Sequence, residues 1–139
     1  MSASIKQALY DLCQGYVNER IDASRKAIAD AQQSANEETK SSSGDKYETG
    51  RAMAQLEIEK NSQQLAEALK LKKALDQIRI DVTPGVVQPG ALVKTDRETF
   101  FIAIGMGKVS IANETCFVIA PSSPLGQKIL GSRVGSRIV

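Results

Sequence analysis

Apolar residues recur at three- and four-residue steps along two long runs of this chain, and the two runs taper in opposite directions. In the first, Ile5, Leu9, Leu12 and Tyr16 are followed by Ile21, Ala23, Ala27, Ile28, Ala31 and Ala35, the spacing of a coiled-coil seam. Ser4 with Gln7 three residues on supplies a capping box for its start, and neither Gly nor Pro interrupts residues 17–36. A helix from the Ser4 cap to Asn36 is roughly 50 Å long at 1.5 Å per residue. The second run begins near Asp45, ends near Arg79, and carries Tyr47, Met53, Leu56, Ile58, Leu65, Leu69, Leu71, Leu75 and Ile78. Its large residues gather at its end as those of the first gather at its beginning. That mirrored taper predicts an antiparallel coiled-coil hairpin over residues 1–80, with its tip at about residues 37–48.

At Asp81 the period changes. Thr83-Pro84-Gly85 and Gln88-Pro89-Gly90 are turn signals, and short strand-like runs follow at 91–95, 99–104, 108–111, 115–120 and 133–139. Between the last two, Ser123 makes a good N-cap, Pro124 a good first helical residue and Gly131 a good stop. One short helix is therefore predicted over 124–130. Residues 81–139 thus read as a small antiparallel β domain with one short helix, and the whole chain as α+β.

Composition narrows the chemistry. The chain has 139 residues, and 18 Lys plus Arg against 16 Asp plus Glu leave no global field that would draw it to nucleic acid or an anionic membrane. The absence of His excludes imidazole bases and ligands, and with them Ser-His, Cys-His and His-rich zinc sites. Cys13 and Cys116 have no C-x-x-C spacing and read as buried reduced thiols. No apolar run reaches the length of a membrane span and the start lacks a signal peptide's apolar core, so a cytoplasmic protein is expected. Gly105-Met106-Gly107-Lys108 lacks the length and the following hydroxyl of a phosphate loop and reads as a turn. Lys70, Lys72, Lys73 and Arg79 complement the dipole at the end of the second helix, or form a basic patch for an acidic partner.

The acids at the reversal are Glu37, Glu38, Asp45 and Glu48. Two readings stand side by side. Asp45 at N-cap and Glu48 at N3 make a reciprocal capping box. Alternatively, Asp45 and Glu48, three apart and facing one way, form a carboxylate pair that helps hold a Mg²⁺ belonging to another macromolecule. Mg²⁺ commonly takes only one or two protein carboxylates and keeps its waters.

The C-terminal run SSPLGQKILGSRVGSRI resembles the C-terminal signature of the bacterial Gre transcript-cleavage factors: a Ser-Pro-small stretch, a short helix, a turn, then a hydrophobic strand. Ser123, Pro124, Leu125, Leu130, Gly131 and Val134 fall on that pattern. The order of parts is similar too, a long coiled coil and then a small FKBP-like domain, and Tyr47 aligns with the tyrosine after the family's acidic tip motif. The resemblance covers most of the chain by architecture and about twenty residues by motif. It implies docking on RNA polymerase through Ser123, Pro124, Leu125 and Gly131, and entry of the coiled-coil tip into the secondary channel, near the RNA 3′ end. There the tip acids of a cleavage factor share a Mg²⁺ with the polymerase, which cuts backtracked RNA. The chain would be no enzyme in its own right, with no intrinsic cofactor or small-molecule substrate.

Departures from the family are specific. With Tyr47 aligned, the family's Asp and Glu positions fall on Lys40 and Ser43, leaving Asp45 and Glu48 on one side of the turn and Glu37 and Glu38 on the other. Some relatives occupy the channel without promoting cleavage. The family's domain also continues into a further strand beyond the position of Val139. The alternative from another class is a coiled-coil scaffold or chaperone-like protein whose tip binds a protein and no metal. A prolyl isomerase would need convergent aromatics, whereas this body has only Phe100, Phe101 and Phe117, and the first two point to opposite sides of a strand.

Overall fold

A computed structural model describes residues 2–39, 44–81 and 85–137. The chain is α+β: helices α1 (Ser2–Thr39) and α2 (Gly44–Asp76) pack together and precede strands β1 (Leu92–Lys94), β2 (Thr99–Ile102), β3 (Gly107–Ile111), β4 (Glu114–Ile119) and the short helix α3 (Pro124–Ile129). Two compact units result, one of Tyr16–Lys72 and the other of Met1–Gly15 with Lys73–Val139.

In the helical unit the buried positions are Val17, Ile21, Ser24 and Ala31 on α1, and Ala54, Asn61 and Ala68 on α2. This differs from the seam expected from residue size. Ala23 is exposed, and Met53 and Leu56 on α2 are each 65% exposed, whereas the smaller Ala54 between them is buried. Which residue is covered follows from angular position on the helix, not from side-chain volume. On α2 the buried set repeats every seven residues, from Ala54 through Asn61 and Ala68 to Leu75.

The other unit contains the beginning of α1, where Leu9 and Cys13 are fully buried. Leu12 and Tyr16 were expected in this seam, yet Leu12 is exposed and Tyr16 half-buried. Leu9, Cys13, Val17 and Ile21 follow at four-residue steps, longer on average than the coiled-coil repeat, so the covered stripe drifts off the Leu12 position. Ser4 lies inside α1, which begins at Ser2, and not at the expected cap position; Gln7 donates forward to Asp11 Oδ1 at 2.8 Å. Past α2, Arg79 contacts Asp81 at 3.1 Å; the guanidinium holds the Asp81 carboxyl below its ordinary range. Thr83 and Pro84 of the first predicted turn lie outside the described residues. The second turn forms, with Ala91 N donating to Gln88 O at 3.0 Å.

The sheet order is β1-β2-β4-β3, with β2 and β4 parallel and the other two pairs antiparallel. It is a mixed sheet and not the purely antiparallel one expected. The cause lies in residues 103–106. Ala103 N donates to Ile119 O at 2.9 Å and Met106 N to Val118 O at 3.1 Å. These bonds carry the chain across the end of β4, so β3 pairs along the far side of β4 and leaves β2 beside it. Gly107 and Lys108 accordingly begin β3. Ala112 and Asn113, with φ of 51° and 63°, then close a two-residue β3–β4 hairpin of the primed type.

Phe100 and Ile102 on one face of β2 pack with Ile129 of α3, and Val87, Val93, Phe117, Ile119 and Leu130 complete this core. The Phe100 and Phe117 rings, level across the parallel pair, have centroids 5.9 Å apart. Phe101, Cys116 and Val118 are fully buried as well. The strand expected over 133–139 does not form within the described residues 133–137, where Ser136 N donates to Arg133 O at 2.9 Å in a turn.

Candidate functional site

Ser123, Pro124, Leu125 and Gly131 all belong to one local structure, α3 and its flanks. Ser123 has extended backbone angles and caps the helix: its Oγ accepts from Gly126 N at 3.0 Å and donates to Ala120 O at 2.7 Å. One hydroxyl thereby satisfies an unpaired helix-start amide and ties the helix to the end of β4. Pro124 follows at the first helical position, where its missing N–H costs nothing. Gln127 adds a bond from its side chain to Ser122 O at 3.0 Å.

The helix has two faces. Gly126 and Ile129 are buried, while Pro124, Leu125, Gln127 and Lys128 are exposed. Gly126 is required by contact: a Cβ there would overlap Ala120 O and meet Pro121 O at 2.9 Å. Gly131 ends the helix with φ +82°, a conformation that favours glycine, and its N–H donates to Val87 O at 2.9 Å. Val87 N donates in turn to Ser132 O at 2.8 Å, so the segment after α3 is held to the segment before β1. Val134, matched to the hydrophobic strand of the resemblance, is fully exposed.

After Glu114 the chain carries Lys128, Arg133 and Arg137 and no acid, and all three cations are exposed. The outward side of this segment therefore combines Leu125 and Val134 with positive charge only. Sequence reasoning missed this; the absence of Asp and Glu from the last 25 residues was the available signal.

The tip acids divide differently. Glu37 lies exposed on α1 and accepts from Gln33 Nε2 at 3.4 Å, one helical turn away. Asp45 and Glu48 fall inside α2, which begins at Gly44, so Asp45 does not occupy the expected cap position. The side chains of Glu38, Asp45, Tyr47 and Glu48, and residues Lys40 and Ser43, lie outside the described residues. Among the described residues no group of three or more acids or thiols is disposed to hold a metal ion.

Both cysteines are buried and free. Burial pushes the Cys13 thiol up to about 11 and raises Cys116 in the same direction, with Glu114 adding to the effect. Neither has the depressed pKa of a reactive thiol. Among the described residues no helix is long and apolar enough to cross a membrane. No protein-family model, curated protein or solved structure matches this chain.

Proposed function

We propose that this chain is a Gre-like regulator of transcription elongation. In this reading α1 and α2 form an antiparallel coiled-coil hairpin, and the following residues form an FKBP-like domain that docks on RNA polymerase in the cytoplasm. The hairpin tip at residues 37–48 enters the secondary channel near the RNA 3′ end. The observation that carries the reading is the pairing of two parts in order. Helices of 38 and 33 residues come first, followed by a four-stranded sheet bearing a Ser123-capped helix that presents Pro124, Leu125 and Lys128 outward. The acid-free segment around α3 suits a docking partner that is acidic with an apolar centre, because opposite charge steers encounter and an anchor side chain supplies affinity.

Asp45 and Glu48, with Glu37 and Glu38, are the acids that would share a polymerase Mg²⁺ and orient a water for cleavage. The polymerase performs the chemistry, and the chain supplies at most carboxylate oxygens. Lys40 and Ser43 at the family's acidic positions place occupation of the channel ahead of cleavage as the activity to expect.

The experiment is capture of a purified bacterial RNA polymerase, coupled to cleavage of backtracked RNA, with Asp45→Asn/Glu48→Gln and Leu125→Ala/Lys128→Glu as variants. Binding lost in the second variant and kept in the first supports the docking assignment. Cleavage that depends on the two carboxylates identifies a cleavage factor, and binding without cleavage identifies a channel-occupying regulator. Absence of binding overturns the proposal. It favours the alternative of a coiled-coil scaffold or chaperone-like protein, for which the exposed Met53 and Leu56 on α2 are the specific supporting observation.

A further inference from the structure

β3 is an outer strand of the sheet, paired on one side with β4. We propose that its other edge pairs with β3 of a second copy of this chain, antiparallel, about a two-fold axis at Val109. This pairing is independent of the transcription reading.

The ladder fixes which groups the edge presents. Ile111 and Glu114 face one another across the two-residue turn at Ala112 and Asn113, and the closing pair of such a turn is hydrogen-bonded. Hydrogen-bonded and non-hydrogen-bonded pairs alternate along an antiparallel ladder. Gly107, Val109 and Ile111 therefore turn their N–H and C=O groups towards β4. The two sides of β4 agree with this phase: Ile119 O accepts from Ala103 N, beside β2, whereas Val118 O accepts from Met106 N, beside β3. Lys108 and Ser110 are left with main-chain groups directed away from the sheet. Both residues are exposed, and among the described residues no turn, loop or cap bonds their main chain.

Few two-fold registers suit this edge. Centred on Lys108, it would set that lysine directly against its own copy, like charge on like. Centred on Ser110, it would set Lys108 against Ala112, which lies in the turn with φ of 51° and not in the strand. Centred on Val109, Lys108 of each copy stands opposite Ser110 of the other. Each such pair exchanges two main-chain hydrogen bonds, so both outward residues of both copies are satisfied. Val109 then meets Val109 at the closer, non-hydrogen-bonded spacing, and half-buried Ile111 lies opposite Gly107, which has no side chain. Edge lysines commonly blunt strand pairing; in this register the two lysines stand diagonally, each across from a hydroxyl. The patch is self-complementary, as a two-fold interface requires, and it joins the two sheets into one.

The test is sedimentation equilibrium of the full chain, with Ser110→Lys and Lys108→Glu/Ser110→Lys as variants. Wild type should show a concentration-dependent equilibrium between monomer and dimer. Ser110→Lys places lysine against lysine twice and should weaken association about fivefold or more. The double variant places glutamate against lysine and should restore it. Under mild oxidation Val109→Cys should yield a disulfide-linked dimer whose joined peptides, identified by mass spectrometry, both contain position 109. Should Ser110→Lys fail to fold, that cross-link decides. A wild type that stays monomeric at every concentration overturns the pairing and leaves the edge to an extended segment of another protein. A dimer indifferent to a folded Ser110→Lys, or one not linked through position 109, overturns it by placing the interface elsewhere.

Discussion

Tyr10 of α1 donates its phenolic hydrogen to the main-chain carbonyl of Leu75, 2.8 Å away in the last turn of α2. Carbonyls in that turn have no partner within the helix; this one is met by the hydroxyl and also by Ile78 N at 3.0 Å. Gln14 Nε2 joins the cluster, donating to Tyr10 Oη at 3.0 Å and to Asp76 Oδ1 at 3.1 Å. The Leu75 side chain below is fully buried. Removing the hydroxyl with Tyr10→Phe should therefore cost about 1 kcal/mol, against roughly 2–5 kcal/mol for Leu75→Ala. Urea unfolding of the two variants measures both. Equal losses would show that the hydroxyl is more than a supplement to the Leu75 packing.

Cys13 gives a pH dependence with a definite sign. Its folded pKa of about 11 lies above the ordinary thiol value, so the folded state holds the proton more tightly than the unfolded chain. The associated stability is fully present below the unfolded pKa and is lost as pH rises through the folded one. Wild type should therefore lose up to roughly 2–3 kcal/mol more than Cys13→Ala between pH 8 and pH 11. The difference between the two urea midpoints is the readout, since the two chains differ only at residue 13. Parallel curves would mean that the thiol is not desolvated.

Ser123→Ala should destabilise the α3 unit by about 0.5–2 kcal/mol, through loss of the cap to Gly126 N and of the tie to Ala120 O. Ser123→Asp should retain most of the cap, since a carboxylate also accepts from the helix-start amide. Thermal unfolding ranks the three proteins. Aspartate as damaging as alanine would assign the effect to the Ala120 bond instead.

Gly126→Ala and Gly105→Ala are chemically the same change in two environments. At Gly126 the new methyl would overlap the Ala120 carbonyl, a backbone atom that cannot rotate aside, whereas nothing lies within 4 Å of a methyl at Gly105. The first should cost roughly 1–3 kcal/mol, the range for overpacking, and the second should change stability little. Comparable unfolding midpoints for the two would show that α3 can shift away from β4.

Much of the secondary structure was legible because it follows from local chemistry. Helix periodicity placed α1 and α2, and Ser123, Pro124 and Gly131 bounded α3 to within a residue, since caps and stops act over one turn. The four strand positions up to Ile119 were visible for the same reason. The stretch 133–137 was not, because Val134 and its neighbours have strand-like composition, while the Arg133–Ser136 turn bond competes locally with extended structure.

Tertiary structure decided what local chemistry cannot. Which helical residues are covered depends on how the two helices meet, so Ala54 and Asn61 are buried while Met53 and Leu56 face outward. The sheet became mixed because Ala103 and Met106 bond across the end of β4, a pairing between residues far apart in sequence that no alternation of side chains specifies. By itself the sequence determined the elements, their order and their caps, through interactions that span a few residues. Only the fold decided their partners, because burial is shared between segments and is assigned when they pack.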